Sequence, residues 1–103
     1  MYYTYMLRCK DNSIYTGITS DIKRRMKEHF SKDKRCAKYT LTHDAQKLEC
    51  VWMSENRVLA SKLEFFIKKL SKERKEEIIK IHRLPQEWFK KIEINEYQYI
   101  TFN

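Results

Sequence analysis

The spacing of apolar positions along this chain changes several times, and each change marks a new element. From Tyr2 to Cys9, aromatic and apolar residues alternate with others, the two-residue period of a strand. Lys10-Asp11-Asn12-Ser13 is turn chemistry, and Ile14 to Thr19 reads as the second strand of a hairpin. Ser20 or Asp21 can cap a helix that ends near Phe30, with Ile22, Met26 and Phe30 as its buried stripe. Arg25 and His29, four residues apart, share a face on the flank of that stripe. Ser31 to His43 has no period and is expected to be a basic loop. Leu48 to Met53 is expected to be a third strand.

Asn56 to Leu70 carries the clearest helical pattern, with Leu59, Leu63, Phe66 and Leu70 as its core stripe. Glu64 lies beside that stripe, one turn after the small Ala60, so its carboxylate is placed to face a cleft. Ser71 can cap a helix from Lys72 to about His82 that turns Ile78, Ile79 and Ile81 inward. Pro85 suits the first turn of a short helix through Lys91. Ile92 to Phe102 alternates loosely, as an extended tail or an added strand.

The chain has 103 residues, the size of one domain. Its net charge of +8 calls for a polyanionic partner, nucleic acid first and an anionic membrane surface second. No apolar run approaches the ~18 residues of a membrane span. No basic segment precedes the first strand, so no signal peptide is expected. Cys9, Cys36 and Cys50 show no C-x-x-C spacing, which argues against a disulfide framework or a zinc knuckle. A reduced, cytoplasmic protein is expected. Residues 20–43 hold eight Lys/Arg against three Asp/Glu, so the basic face belongs to the first helix and the segment after it.

Within that face, Lys32, Lys34, Arg35 and Lys38 read as a strip that binds a nucleic-acid backbone, with Arg24 on a flanking phosphate. Tyr39 is placed to stack on an exposed base. Gly17, the only glycine, is counted with them as a point where a side chain would obstruct; a β-bulge is the alternative.

Tyrosine, arginine, histidine and one carboxylate make a workable set for metal-assisted cleavage of a phosphodiester. Tyr3-Thr4-Tyr5 and Tyr15-Thr16-Gly17, nine residues apart, are followed by Arg25, His29 and Glu64. This ordered set resembles the GIY-YIG nuclease superfamily, in particular its small stand-alone bacterial members. Ala37-Lys38-Tyr39-Thr40 is also similar to a segment common in those members. The match covers roughly residues 2–75. The first motif lacks its glycine, as in many small members, and no late polar residue matches, Asn95 lying too far along.

The resemblance implies an α+β fold, a three-stranded antiparallel sheet flanked by helices, within residues 1–82. Residues 83–103 become a helical or extended C-terminal extension packed on the same domain. It implies a divalent-metal-dependent endonuclease, using magnesium or manganese, with Glu64 holding the metal. The expected partner is DNA, branched and single-stranded forms included, with RNA open, a membrane not expected and a partner protein open. Arg25 is expected to fork onto a phosphate oxygen. Tyr5 and Tyr15 are jointly assigned to activating and orienting the nucleophile. A phenol ordinarily titrates near ~10. Either a metal or Arg25 favours the phenolate, or the phenol only positions water. His29 is an auxiliary base or a phosphate donor.

Two rival classes fit the same composition. One is a non-catalytic nucleic-acid-binding module on this fold. The other is a basic domain that docks on a protein through Trp88, Phe89 and the tyrosine-rich tail. Pathway stays open among repair, recombination, restriction and mobile-element biology, since a scaffold fixes chemistry at best.

Overall fold

A computed structural model of the protein describes residues 1–32, 35 and 37–101. Strands β1 (Tyr2–Cys9) and β2 (Ile14–Thr19) form the expected hairpin. Its turn is held by Asp11, whose Oδ1 accepts from the Ser13 backbone N–H at 3.0 Å and from Ser13 Oγ at 2.5 Å. Helix α1 (Ile22–Phe30) follows, capped by the Asp21 side chain on the Arg24 N–H. Then come α2 (Lys38–His43), β3 (Ala45–Ser54), α3 (Arg57–Lys68) and α4 (Lys72–Ile81). Asn56 and Ser71 cap α3 and α4 through their side chains.

The sheet is antiparallel, but it has four strands in the order β2-β1-β3-β4, not three. β4 (Gln98–Ile100) pairs Ile100 with Val51 and Gln98 with Met53. It covers a β3 edge that would otherwise present unpaired backbone groups. Local pattern left this segment open because three residues carry little periodicity. Aromatic anchors decide it. Tyr97 donates its hydroxyl to the Leu59 carbonyl at 2.6 Å, and Tyr99 packs edge-on against Trp52 at 5.7 Å.

Three further expectations change. Residues 38–43 are helical rather than loop. α1 keeps Ile22 buried and Met26 half-buried as expected, but it buries His29 completely and leaves Phe30 47% exposed. At 100° per residue, His29 lies 20° from Ile22 around the helix and Phe30 lies 80° away, so His29 is the more central position. After Pro85 the chain makes only short 3₁₀ turns at Gln86–Trp88 and Ile94–Glu96. There Gln86 bonds the Phe89 and Ile92 carbonyls, both at 2.8 Å, and the carbonyl groups of a longer helix find this partner instead.

Each sheet face has its own cluster. On one, Met6, Cys50 and Trp52 pack with Leu63 and Ile67 of α3, Ile78 of α4, and Leu84, Phe89, Ile92 and Tyr97. On the other, Tyr5, Leu7 and Val51 pack with Ile22 of α1. Burial of apolar area is the main favourable term for both. Arg8 fixes α4 to the hairpin, with forked bonds to Glu76 at 2.5 and 2.6 Å and a third to Glu49 at 3.1 Å. Cys9 and Cys50 are free and buried. No helix among the described residues is long and apolar enough to cross a membrane.

Candidate functional site

The middle of β1 sets the site. Tyr5 stands directly across the ladder from Gly17, and Leu7 from Tyr15. A Cβ on residue 17 would lie 2.6 Å from the Tyr5 hydroxyl oxygen, 2.8 Å from Tyr5 Cζ and 2.9 Å from Tyr15 Cε2. Gly17 sits in regular register with φ outside the positive range, so steric room and not a bulge explains it. Gly17→Ala is expected to destabilise the fold by about 1–3 kcal/mol, the usual cost of overpacking. It should also push both tyrosines out of place. Urea denaturation with near-ultraviolet circular dichroism would check this, and unchanged stability with native tyrosine signals would refute it.

Around the two tyrosines the rings converge. Tyr5 and Tyr15 have centroids 6.2 Å apart, and His29 stands 5.7 Å from Tyr5 and 5.6 Å from Tyr15. The Tyr5 hydroxyl and His29 Nε2 are 2.8 Å apart, and His29 Nδ1 is 2.8 Å from Thr40 Oγ1. Thr40 donates to the Ala37 carbonyl at 3.0 Å. His29 is fully buried and both its ring nitrogens are engaged by Tyr5 and Thr40, so neither is presented at the surface where a phosphate donor would be needed.

Burial, then the positive charge of Arg25, pulls His29 down from 6.5 to about 4, with Glu28 opposing. This imidazole is neutral when folded and charges more readily when unfolded. Its contribution to stability is thus complete above pH ~6.5 and is lost as pH falls towards ~4, a change of about 3 kcal/mol. Urea midpoints of wild type and His29→Asn across that window should converge at low pH; parallel curves would show that His29 is not held neutral.

Burial also pushes the Tyr5 phenol well above its ordinary range, Arg25 opposing by hydrogen bonding and Tyr15 adding to the rise. Arg25 acts in the direction expected for phenolate formation, but burial outweighs it. The phenol is protonated at neutral pH and hydrogen-bonded to His29.

Arg25 is held by an acid that sequence reasoning missed. Glu28, 8% exposed, accepts from Arg25 Nη1 at 2.9 Å, with Arg24 at 3.8 Å and Arg35 at 4.0 Å. Arg25 also donates to the Arg35 carbonyl at 2.6 Å. The i+3 and i+4 spacings from Arg25 and Arg24 to Glu28 were the available signal. Glu64 emerges from α3, which Thr4 ties to β1 through a 3.1 Å bond to the Ala60 carbonyl. Its carboxylate pairs with Lys68 at 3.4 Å, and Lys68 Nζ lies 5.7 Å from the centroid of the Tyr15 ring. Glu64 also adds to the rise of the Tyr5 phenol, so the two share one electrostatic neighbourhood.

The family model for the GIY-YIG catalytic domain matches residues 1–77. The chain belongs to the GIY-YIG family. UPF0213 protein FN1575 of Fusobacterium nucleatum is 49% identical over 78 residues, covering 76% of each chain. UPF0213 protein CPE1444 of Clostridium perfringens is 38% identical over 96 residues, 92% of this chain and 99% of the relative. The solution NMR structure of UPF0213 protein BH0048 from Bacillus halodurans aligns with a TM-score of 0.52 at 36% identity, covering 89% of this chain and 97% of that one.

On this GIY-YIG domain the structure brings Tyr5, Tyr15, Gly17, Arg25 and His29 together, with Glu64 at the α3 side. The basic residues are less uniform. Arg24 and Arg35 gather on Glu28, Lys32 pairs with Asp44, and Lys38 is exposed. Lys34 lies outside the described residues. Tyr39 is not free to stack a base as expected. Its ring lies against His43 at 3.9 Å and 7°, and against Tyr15 at 5.6 Å. His82 caps α4 and stacks on Tyr99. A groove of about 590 Å³ beside α3, lined by Arg57, Val58, Ser61, Lys62, Phe65, Phe66 and Lys91, is not this site.

Proposed function

We propose that this GIY-YIG protein is a divalent-metal-dependent endonuclease that hydrolyses DNA phosphodiesters with low intrinsic sequence specificity. The observation that carries this reading is the grouping of two tyrosines and an arginine held by a buried glutamate around the β1–β2 hairpin, with the partly exposed Glu64 carboxylate approaching from α3 through Lys68 beside the Tyr15 ring.

Among the described residues no group of three or more His, Cys, Asp or Glu could hold a metal. The donor set therefore does not fit zinc or calcium in a protein cage. It fits magnesium, which keeps most of its waters and takes one or two carboxylates plus substrate phosphate. Glu64, with 24% of its side chain exposed and a surface lysine as ion-pair partner, is the residue to hold it. When bound, such an ion supplies Lewis acidity to the phosphate and the leaving oxygen.

The protein's own groups do the rest. Arg25 faces the phosphate and neutralises charge that develops on its non-bridging oxygens. Glu28 and the Arg35 carbonyl fix the guanidinium, so little reorganisation is needed when substrate arrives. Tyr15, half-buried, orients the attacking water, while Tyr5 takes its proton. The exposed cations at the rim contact phosphates, which position DNA without reading it, hence the low specificity. The reading places the protein in the cytoplasm.

The deciding experiment is nicking of supercoiled plasmid with and without magnesium or manganese, comparing wild type with Glu64→Ala. Metal-dependent nicking lost in the variant supports the reading. Salt-dependent DNA binding with no cleavage by either protein would instead mark a binding module.

A further inference from the structure

We propose that Thr40 is a positioning residue that holds His29 as the Nδ1-protonated tautomer and so aims the Tyr5 hydroxyl proton at His29 Nε2. Its bearing on catalysis rests on the nuclease reading; the tautomer itself does not.

The direction of the hydrogen-bond chain follows from its two ends. At one end the Tyr5 hydroxyl, 0% exposed, has its own proton to place. At the other end is the Ala37 carbonyl, which only accepts. Tyr5, His29 and Thr40 each have one proton to give along the chain when the imidazole is neutral. With Thr40 donating to Ala37, its oxygen is free to accept from Nδ1–H. Nε2 is then an acceptor and takes the Tyr5 proton. Every donor finds a partner. In the opposite direction Thr40 donates to Nδ1 and Nε2–H points at Tyr5. The Tyr5 hydroxyl then has His29 as a donor, and its own proton has no acceptor among the described residues in a side chain that is 0% exposed. Such an orphan costs about 1–3 kcal/mol, so the first direction wins.

Burial makes the arrangement rigid. Tyr5, His29 and Thr40 are each 0% exposed, so water does not offer substitute partners. Charges that face the imidazole are Arg25 and Glu28 from α1, with the Tyr5 phenol from β1 and the Tyr15 ring from β2.

The consequence is a balanced proton relay. When bound substrate brings the attacking water against the Tyr5 oxygen, which is closed to solvent in the free protein, that water gives it a proton as Tyr5 gives its own to Nε2. One O–H bond of water breaks, an O–H bond is exchanged at Tyr5, and an N–H bond forms at His29. Hydroxide remains to attack phosphorus; the leaving oxygen, on the opposite face, takes a proton from solvent water, and the imidazolium gives its own back through Tyr5 to solvent once product leaves. Thr40 stabilises the imidazolium by accepting its Nδ1–H, and it touches neither water nor phosphate.

The first test is the ¹⁵N spectrum of the His29 ring in the wild-type protein near neutral pH. A protonated Nδ1 with an unprotonated Nε2 is expected; the reverse assignment overturns the proposal, whether or not the protein cuts DNA. The second is Thr40→Val with Thr40→Ser beside it. Val should blur the tautomer signature, lower kcat about 10-fold or more with KM nearly unchanged, and move the acid limb of the pH profile. Ser should restore all three. An unaltered His29 spectrum and pH profile in a folded Val variant would sink the idea. If Val does not fold, the wild-type and Ser spectra still decide.

Discussion

Glu64→Ala is expected to lower magnesium-dependent plasmid nicking by at least ~10³-fold, a barrier increase of about 4 kcal/mol, with the fold intact. Glu64 is the α3 carboxylate whose charge the Tyr5 phenol feels, and the described residues hold no group of three or more His, Cys, Asp or Glu that could bind a metal without it. Its ion pair with Lys68 is an i,i+4 contact at a half-exposed lysine. Losing such a pair changes stability by about 0.5 kcal/mol or less. Activity and stability therefore separate at this position. Nicking rates and urea midpoints of wild type, Glu64→Ala and Glu64→Gln would be measured together. A variant that keeps its melting behaviour and still cuts within ten-fold of wild type would remove Glu64 from the chemistry.

Tyr5→Phe is the second large effect, and here activity and stability move together. Loss of the hydroxyl removes the group that passes a proton from water to His29, a loss expected to be about 10²–10⁴-fold in kcat. It also leaves His29 Nε2, buried in the free protein, without its 2.8 Å partner. An orphaned buried acceptor costs about 1–3 kcal/mol. The ring itself remains, so the packing against Tyr15 and Gly17 survives. Single-turnover cleavage, with stability measured in parallel, separates the two contributions. Full-rate cleavage by a stable Phe variant would assign the base to another group.

Much of the site was legible because it is local. The hairpin brackets Tyr5 and Tyr15, and its turn is written in Asp11-Asn12-Ser13. Arg25 and His29 share a face of a capped helix. Gly17 was expected where a side chain would obstruct, and the obstruction proves to be the two tyrosine rings. Glu28 was readable in principle, since helical spacing places it beside Arg24 and Arg25. The resemblance drew attention to the residues of the motif, and Glu28 was not among them.

The errors share a cause. Phe30 was placed in the core by hydrophobicity, whereas helix geometry put His29 at the centre of the buried face. The α2 helix was read as loop because its apolar pattern is weak, yet Thr40 makes it the support for an imidazole eleven residues earlier. β4 and Tyr97 stabilise the far edge of the sheet through partners at positions 59 and 52. No window of adjacent residues contains such pairs.

The sequence by itself determined the hairpin, β3, α1, α3 and α4, the caps at Asp21 and Ser71, and the basic stretch of residues 20–43. These depend on period, local hydrogen bonding and charge, which act between near neighbours. Tertiary structure decided the fourth strand, the depth of His29 and the direction of its hydrogen bonds. It also decided the protonated state of Tyr5. Those depend on burial and on partners far apart in the chain. A proton's position is set by which groups can only give and which can only accept once water has been excluded.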